Sequence, residues 1–411
     1  MLLLEVEYVN ALGLVVEYNP FHNGHLYHLQ QSKSITNADV TIAVMSGNFL
    51  QRGEPALVDK WTRTAMALDA GIDLVIELPF IHAVQKAEYF SEAAILLLEE
   101  VGCQSVCFGS EQGQIDPFIH TYTIIQENSK EIDQLIQHYS KEGYSYPKAA
   151  SLAYSELQTR FPSMLSLDQP NNILGFHYVS AILKHKLSIV PVTIKRTGSG
   201  YHDPMLMPGK IASATGIRKE LMENGNLNAV SPFVPETTLT LLQNYMSGQQ
   251  LLHHWELYWP FLKIKLITTP PEALSHIYEM KEGLENRLIE AAERATSFME
   301  FMSFIKTKRY TWTRLQRILT YTLLNFTKSE MPESLFPPYI RVLGFNRTGQ
   351  QYSKSIKKEK GSLFVSRLAA SHNPIIDIDK RAAIVHAAVL SPSNSAKAQK
   401  REYMAPIVLS K

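Results

Sequence analysis

The first half of the chain alternates short apolar runs with helical periodicity, and that alternation limits the fold more than any other feature. Gly13 to Glu17, Val40 to Met45, Leu74 to Glu77, Ser105 to Phe108 and Ile189 to Ile194 are brief, rich in Val and Ile, and lack a polar residue at every second position. Strands covered on both faces read this way, because neither side meets water. Helical patterns separate them at Gly24 to Ser34, Asp59 to Ala70 and Phe90 to Glu99, with Trp61, Ala65 and Leu68 on one face of the second. Residues 116–186 look mostly helical with a break at Pro162 to Pro170, and a helix near Thr215 closes the unit. The expected class is α/β: a doubly wound parallel sheet whose ligand crevice lies past the carboxyl ends of the strands.

Beyond Pro232 the alternation stops. Leu251 to Ile267, Leu284 to Ala295 and Trp312 to Asn325 carry helical spacing instead, so residues 1–230 and 231–411 divide into a sheet domain and a mainly α-helical domain. Tyr339 to Leu343 and Leu363 to Val365, flanking the turn-like Gly344-Phe345-Asn346, suggest a small strand pair in the second. Its charge is distinctive. The whole chain holds 40 Lys and Arg against 39 Asp and Glu, but residues 301–411 hold 19 against 6, which leaves 21 against 33 elsewhere. A basic third of this kind suits a polyanion, the alternative being an ordinary solvated face. The two cysteines, Cys103 and Cys107, share one strand face and read as inert buried thiols in a reducing compartment, hence the cytoplasm. No run approaches the roughly 18 apolar residues of a membrane span, and Met1 to Val9 lack the basic start of a signal peptide.

One stretch carries most of the chemistry: Val15-Val16-Glu17-Tyr18-Asn19-Pro20-Phe21-His22-Asn23-Gly24-His25-Leu26-Tyr27-His28. A strand ends, the chain turns at Pro20, and a helix begins at Gly24, which turns backbone N–H groups and the positive helix end toward the crevice. A triphosphate fits there. His22 and His25 could donate to oxygens that gain charge during in-line displacement. Two exposed turn histidines, or a metal pair, are the alternatives; no Asp, Glu or Cys offers a third ligand at standard spacing. Farther on, Ser213 and Thr215 can cap a helix and Arg218 can reach the β- and γ-phosphates.

The His22-Asn23-Gly24-His25 segment resembles the H-x-G-H signature of the nucleotidyltransferase superfamily, and Ile211-Ala212-Ser213-Ala214-Thr215-Gly216-Ile217-Arg218 is similar to its I-S-S-T-x-I-R helix start. Five further segments, Met45 to Pro55, Asp59 to Arg63, Phe108 to Glu111, Pro170 to Leu174, and Lys195 to Thr197 with Tyr201 to Asp203, resemble in order the bacterial tRNA(Met) cytidine acetate ligase family. The resemblance covers about residues 13 to 390. It implies a nucleotidyltransferase-like fold, activation of acetate by ATP to acetyl-adenylate, and acetyl transfer to N4 of the wobble cytidine of elongator tRNA(Met). By the same carry-over, His22, His25, Ser213 and Arg218 are catalytic, Val15 to His28 with Gly109, Asn171 and Arg196 hold ATP, and Mg²⁺ accompanies the nucleotide. The residues before Gly13 depart from the family's short start, as an alternative initiation site would produce. A small-metabolite adenylyltransferase is the other enzyme with these motifs.

Several residues keep two readings. Glu17 is a site carboxylate or a strand-end residue, and Asp59 suits an N-cap. Arg52, in a loop with Gly47 and Gly53, could reach acetate or a tRNA phosphate. Asn171 and Asn172 could meet ribose or adenine, or cap a helix. His202 and Asp203, after Gly198 and Gly200, could close over the adenylate or form a plain turn. In the basic third, after Lys306, Lys308 and Arg309, Arg314, Arg317 and Tyr321 fall on the face opposite Leu315, Ile318, Leu319 and Leu323, a stripe suited to tracking phosphates. Lys354, Lys357, Lys358, Lys360 and Arg367 form a second basic group.

Overall fold

The computed structural model describes residues 9–196, 212–281, 283–361, 363–365, 368 and 373–410. Thr197, Gly198, Gly200, Tyr201, His202, Asp203, Ile211, Arg367 and the side chain of Lys360 lie outside the described residues. Strands β1 (Ala11–Val16), β2 (Val40–Ser46), β3 (Leu74–Leu78), β4 (Ser105–Ser110), β5 (Val190–Lys195), β6 (Ile340–Phe345), β7 (Phe364–Val365) and β8 (Ile407–Val408) form one sheet. Its order is β5-β4-β1-β2-β3-β6-β7, with β8 also on β6. The first five are parallel throughout.

Apolar runs become central strands here because both faces are covered. Ala11 packs in one core and Leu12 and Leu14 in the other; Val40, Ile42 and Val44 likewise alternate with Ala43 and Met45. From β1 the chain moves to β2 and β3 on one side, then crosses to β4 and β5 on the other. The β1/β4 boundary is therefore the switch point, where diverging loops leave an opening.

Helices over 236–324 build a third cluster around Trp255, Tyr258, Trp259, Phe298, Phe301, Tyr321 and Phe326. Residues 231–411 are helical only in part, however, because the chain then re-enters the sheet: β6 pairs antiparallel with β3. The expected strand pair is also built differently. β6 and β7 run parallel, joined by the helix Arg347–Lys360, and Gly344-Phe345-Asn346 is a strand end and helix cap. Asn346 accepts from the Gly349 amide at 3.0 Å and donates to Asp73 at 2.7 Å. At Gly344 a Cβ would sit 2.8 Å from Thr64, so the bare backbone lets β6 close onto the helix Lys60–Asp69.

Candidate functional site

A crevice of about 390 Å³ opens at the carboxyl ends of β1, β4 and β5. It gathers residues far apart in sequence: Val15, Val16, Glu17, Tyr18, Asn19, His22, Gly24, His25, Tyr27 and His28, with Gly109, Asn171, Arg196, Ser213, Thr215 and Arg218. Arg52 and Glu54 enter from the loop after β2. Four members of the first stretch support it from behind. Phe21 is wholly buried, Leu26 packs in the same core, Asn23 donates to the Pro232 carbonyl at 3.0 Å, and Pro20 sits in the turn after a cis peptide.

The two histidines are oriented by the backbone. His22 caps the helix Asn23–Thr36, its Nδ1 accepting from the Gly24 amide at 3.0 Å, and His25 Nδ1 accepts from the His22 amide at 3.3 Å. The rings stack at 3.8 Å. A neutral imidazole that accepts at Nδ1 carries its proton on Nε2, so this network makes each ring an Nε2–H donor. Neutrality is enforced: burial, followed by Arg196 and Arg218, pushes His22 down to about 3, and burial with His22, Arg196 and His28 holds His25 well below its ordinary value. His22 is only 6 % exposed, so it is no loose turn residue. The Gly24 amide, expected to face an anion, is instead used by His22. The turn's two imidazoles keep their Nε2–H groups free of the helix cap.

Each remaining side chain is fixed by a specific partner. Arg218 donates to the Asn19 carbonyl at 2.9 Å and lies 3.8 Å from Glu54, which ties the helix Ala214–Glu223 to the turn. Ser213 caps that helix through the Gly216 amide at 3.1 Å. Glu111 accepts from the Asn171 side chain at 2.6 Å and the Asn172 amide at 2.8 Å, while Asn172 Oδ1 accepts from the Glu111 amide at 3.1 Å. This clip sets Asn171 so that its Oδ1 accepts from Arg196 at 3.4 Å. A Cβ on Gly109 would lie 3.2 Å from the Arg196 side chain. Glu17 accepts from the Gln51 amide at 2.8 Å, and burial raises its pKa.

One residue carries more of the site than its motif suggested. Arg63 is fully buried and donates to the carbonyls of Glu17 (2.7 Å), Ser46 (3.0 Å), Gly47 and Val58 (3.3 Å). It ties the ends of β1 and β2 to the loop that carries Arg52. Asp59 is the N-cap of that helix, accepting from the Thr62 amide at 2.7 Å. No local signal marks Arg63, because its acceptors are carbonyls whose sequence is immaterial.

The basic third departs from expectation at Arg317. That residue is 7 % exposed and pairs with Glu279 at 3.3 Å, and Tyr321 is buried, donating to the Val84 carbonyl at 2.5 Å. The face read as a phosphate stripe is covered because the loop at Gly53 packs on it: a Cβ there would lie 2.4 Å from the Arg317 nitrogen, and Gly53 has φ +80°. Arg314 stays partly exposed over Tyr310, and Lys354, Lys357 and Lys358 are exposed on the helix Arg347–Lys360. Among the described residues no three His, Cys, Asp or Glu side chains form a metal cluster, and no helix is long and apolar enough to cross a membrane.

The HIGH Nucleotidyl Transferase family model matches residues 9–402. A tRNA(Met) cytidine acetate ligase of Lysinibacillus sphaericus is 45% identical over 399 residues, covering 97% of this chain and 99% of the relative. The Bacillus subtilis enzyme of the same name is 45% identical over 383 residues, 92% of each. Thermotoga maritima TmcAL, solved without ligand, superposes with TM-score 0.90 at 32% identity over 98% of this chain and 100% of its own. The same protein bound with alpha-thio ATP gives TM-score 0.88 at 30% identity, with the same two coverages.

Proposed function

Because this chain belongs to the tRNA(Met) cytidine acetate ligases of the HIGH nucleotidyl transferase family, we propose that it joins acetate to N4 of the wobble cytidine of elongator tRNA(Met) at the expense of ATP. The observation that carries this reading is the pair of neutral imidazoles, both turned to donate through Nε2, between Arg196 and Arg218 in one crevice at the switch point. Cytosine N4 is a poor nucleophile because its lone pair is delocalised into the ring, so the acyl group must be activated first. A carboxylate oxygen of acetate attacks the α-phosphorus of ATP, the bond to the β-phosphate breaks, and pyrophosphate leaves. His22 and His25 donate to phosphoryl oxygens as their charge grows, and neutral donors do so without proton loss. Arg218 meets the departing pyrophosphate, held for this by the Asn19 carbonyl and Glu54. Ser213 acts by fixing the start of the Arg218 helix.

In the second half, N4 attacks the acetyl carbonyl carbon, the bond to the AMP oxygen breaks, and N4 gives up a proton. Val15 to His28, Gly109, Asn171 and Arg196 keep the adenylate in place between the two steps. Mg²⁺ would travel with the triphosphate and neutralise charge on its phosphate oxygens, with Glu17 and Glu54 the carboxylates that line the crevice among the described residues. Lys354, Lys357 and Lys358, exposed, and Arg314, partly exposed, are among the basic groups that would meet tRNA phosphates, and the cytoplasm, where that tRNA resides, is the site of action. Incubation with ATP, labelled acetate and bulk tRNA, followed by nucleoside analysis, tests the reading. Labelled N4-acetylcytidine that requires both ATP and acetate is expected; its formation from acetyl-coenzyme A without ATP would overturn it.

A further inference from the structure

A line of hydrogen bonds joins the helices of residues 231–411 to the crevice and takes no part in the bond changes themselves. In the helix Pro374–Ala387, His386 is 2 % exposed, and its Nε2–H donates to the Ala56 carbonyl at 3.1 Å. The next residue, Leu57, has its carbonyl held by the His253 amide at 2.9 Å. The Leu57 amide in turn donates to the Asn19 side chain at 2.7 Å, and the Asn19 carbonyl is the acceptor that receives Arg218 at 2.9 Å. Glu54, the other partner of Arg218, lies on the same loop two residues before Ala56. Both contacts that aim Arg218 therefore depend on a loop held from the far side by His386 and His253.

Each proton in that support has one place. Tyr258, in the helix Trp255–Thr268, gives its hydroxyl proton to the His386 carbonyl at 2.9 Å, so its oxygen accepts from His253 Nδ1 at 2.6 Å. Burial and then His386 hold the His253 imidazole neutral. Its Nε2 is left to accept from the hydroxyl of Tyr245, in the helix Glu236–Gln249, at 2.8 Å. The His253 and His386 rings stack at 3.8 Å. A buried network satisfied throughout is rigid, and a rigid support can place a group that it does not touch. We infer that His386 is a positioning residue for adenylate formation: through Ala56, Leu57 and Asn19 it sets the Arg218 guanidinium on the departing pyrophosphate, an inference that rests on the adenylation proposed for this crevice.

The test uses the full-length protein and acetate-dependent ATP–pyrophosphate exchange. His386→Phe keeps a ring to stack on His253 but removes the N–H, and should lower kcat about ten- to a hundredfold, as about 1 Å of misplacement does, with KM for ATP within about twofold of wild type. His386→Gln, whose side-chain amide can donate to the same carbonyl, should restore most of the rate. A double-mutant cycle decides the route: in an Arg218→Ala background, adding His386→Phe should cost nothing further, because the group it positions is gone. A purely structural His386 would lower the rate by the same factor in both backgrounds. That result, or a wild-type kcat in His386→Phe, overturns the inference. If His386→Phe does not fold, Asn19→Ala cuts the same line next to Arg218 while keeping the carbonyl that Arg218 uses, and the cycle is read with it instead. Absence of acetate-dependent exchange in the wild-type protein is a different failure: it removes the proposed adenylation and the inference with it.

Discussion

Charged side chains leave water at two places in the same sheet, and they are neutralised differently. Between β3, β6 and the helix Lys60–Asp69, Lys60 lies 2.7 Å from Glu77 and 2.8 Å from Glu402, and Arg341 lies 2.8 and 2.9 Å from the same two carboxylates. Each ion has two partners of opposite sign, and all four side chains are under 5 % exposed. Nearby Asp379 responds to the same field, since burial and then Glu77 push its carboxyl well above the ordinary carboxylate value. At the crevice the balance fails. Among the described residues, Arg52, Lys195, Arg196 and Arg218 face it with the carboxylates Glu17 and Glu54, and Arg196 is held by a neutral amide oxygen. A closed network leaves nothing for a ligand to complete, whereas a lining in which cations outnumber carboxylates, beside neutral N–H donors, suits an anion.

The largest expected effect lies on the closed side. Glu77→Gln should cost about 3–5 kcal/mol of folding stability, because it leaves two buried cations, Lys60 and Arg341, to share the single carboxylate of Glu402. Denaturant titration measures it, and a loss below about 1 kcal/mol would mean that the network is dispensable. On the open side the cost should fall on rate. His22→Asn keeps a side chain able to cap the helix but removes the Nε2–H donor, and should slow acetate-dependent pyrophosphate exchange by about a hundred- to a thousandfold, or roughly 3–4 kcal/mol, with little change in stability. Near-normal exchange would end the assignment of His22 to phosphoryl transfer.

Acid should weaken both sides. Buried His22 and His386 have pKa values near 3 against an ordinary 6.5, so the unfolded chain binds more protons between those values. Their stabilisation is complete above about pH 6.5 and is lost as pH falls toward 3, by roughly 1–2 kcal/mol per imidazole at pH 5. Glu402, held near 2 mainly by Lys60 and Arg341 against the cost of burial, adds its own loss below about 4.5. Urea unfolding free energies that stay flat from pH 7 to 4.5 would contradict the burial of the imidazoles. The smallest effect belongs to the exposed lysines. Replacing Lys354, Lys357 and Lys358 by Gln should lower the log–log salt slope of tRNA binding by about 0.7–0.9 per lost contact. An unchanged slope would return that helix to an ordinary solvated surface.

The alternation of apolar runs and helical spacing made the five parallel strands legible, and with them the position of the crevice. The turn from Val15 to His28, the cap at Asp59 and the helix start at Ser213 were equally local, since each depends on residues a few positions apart. That is what the sequence alone determined. The tertiary structure decided what each charged residue faces. Arg317 has the spacing of a solvated stripe, yet the loop at Gly53, more than 260 positions earlier, covers it. Lys60 finds Glu402 across nearly the whole chain, Arg63 binds carbonyls that any sequence would offer, and β6 returns to the edge of a sheet begun by β1. Periodicity tells which face of an element is apolar; burial of a polar face depends on what packs against it, and that partner is chosen by contacts distant in sequence.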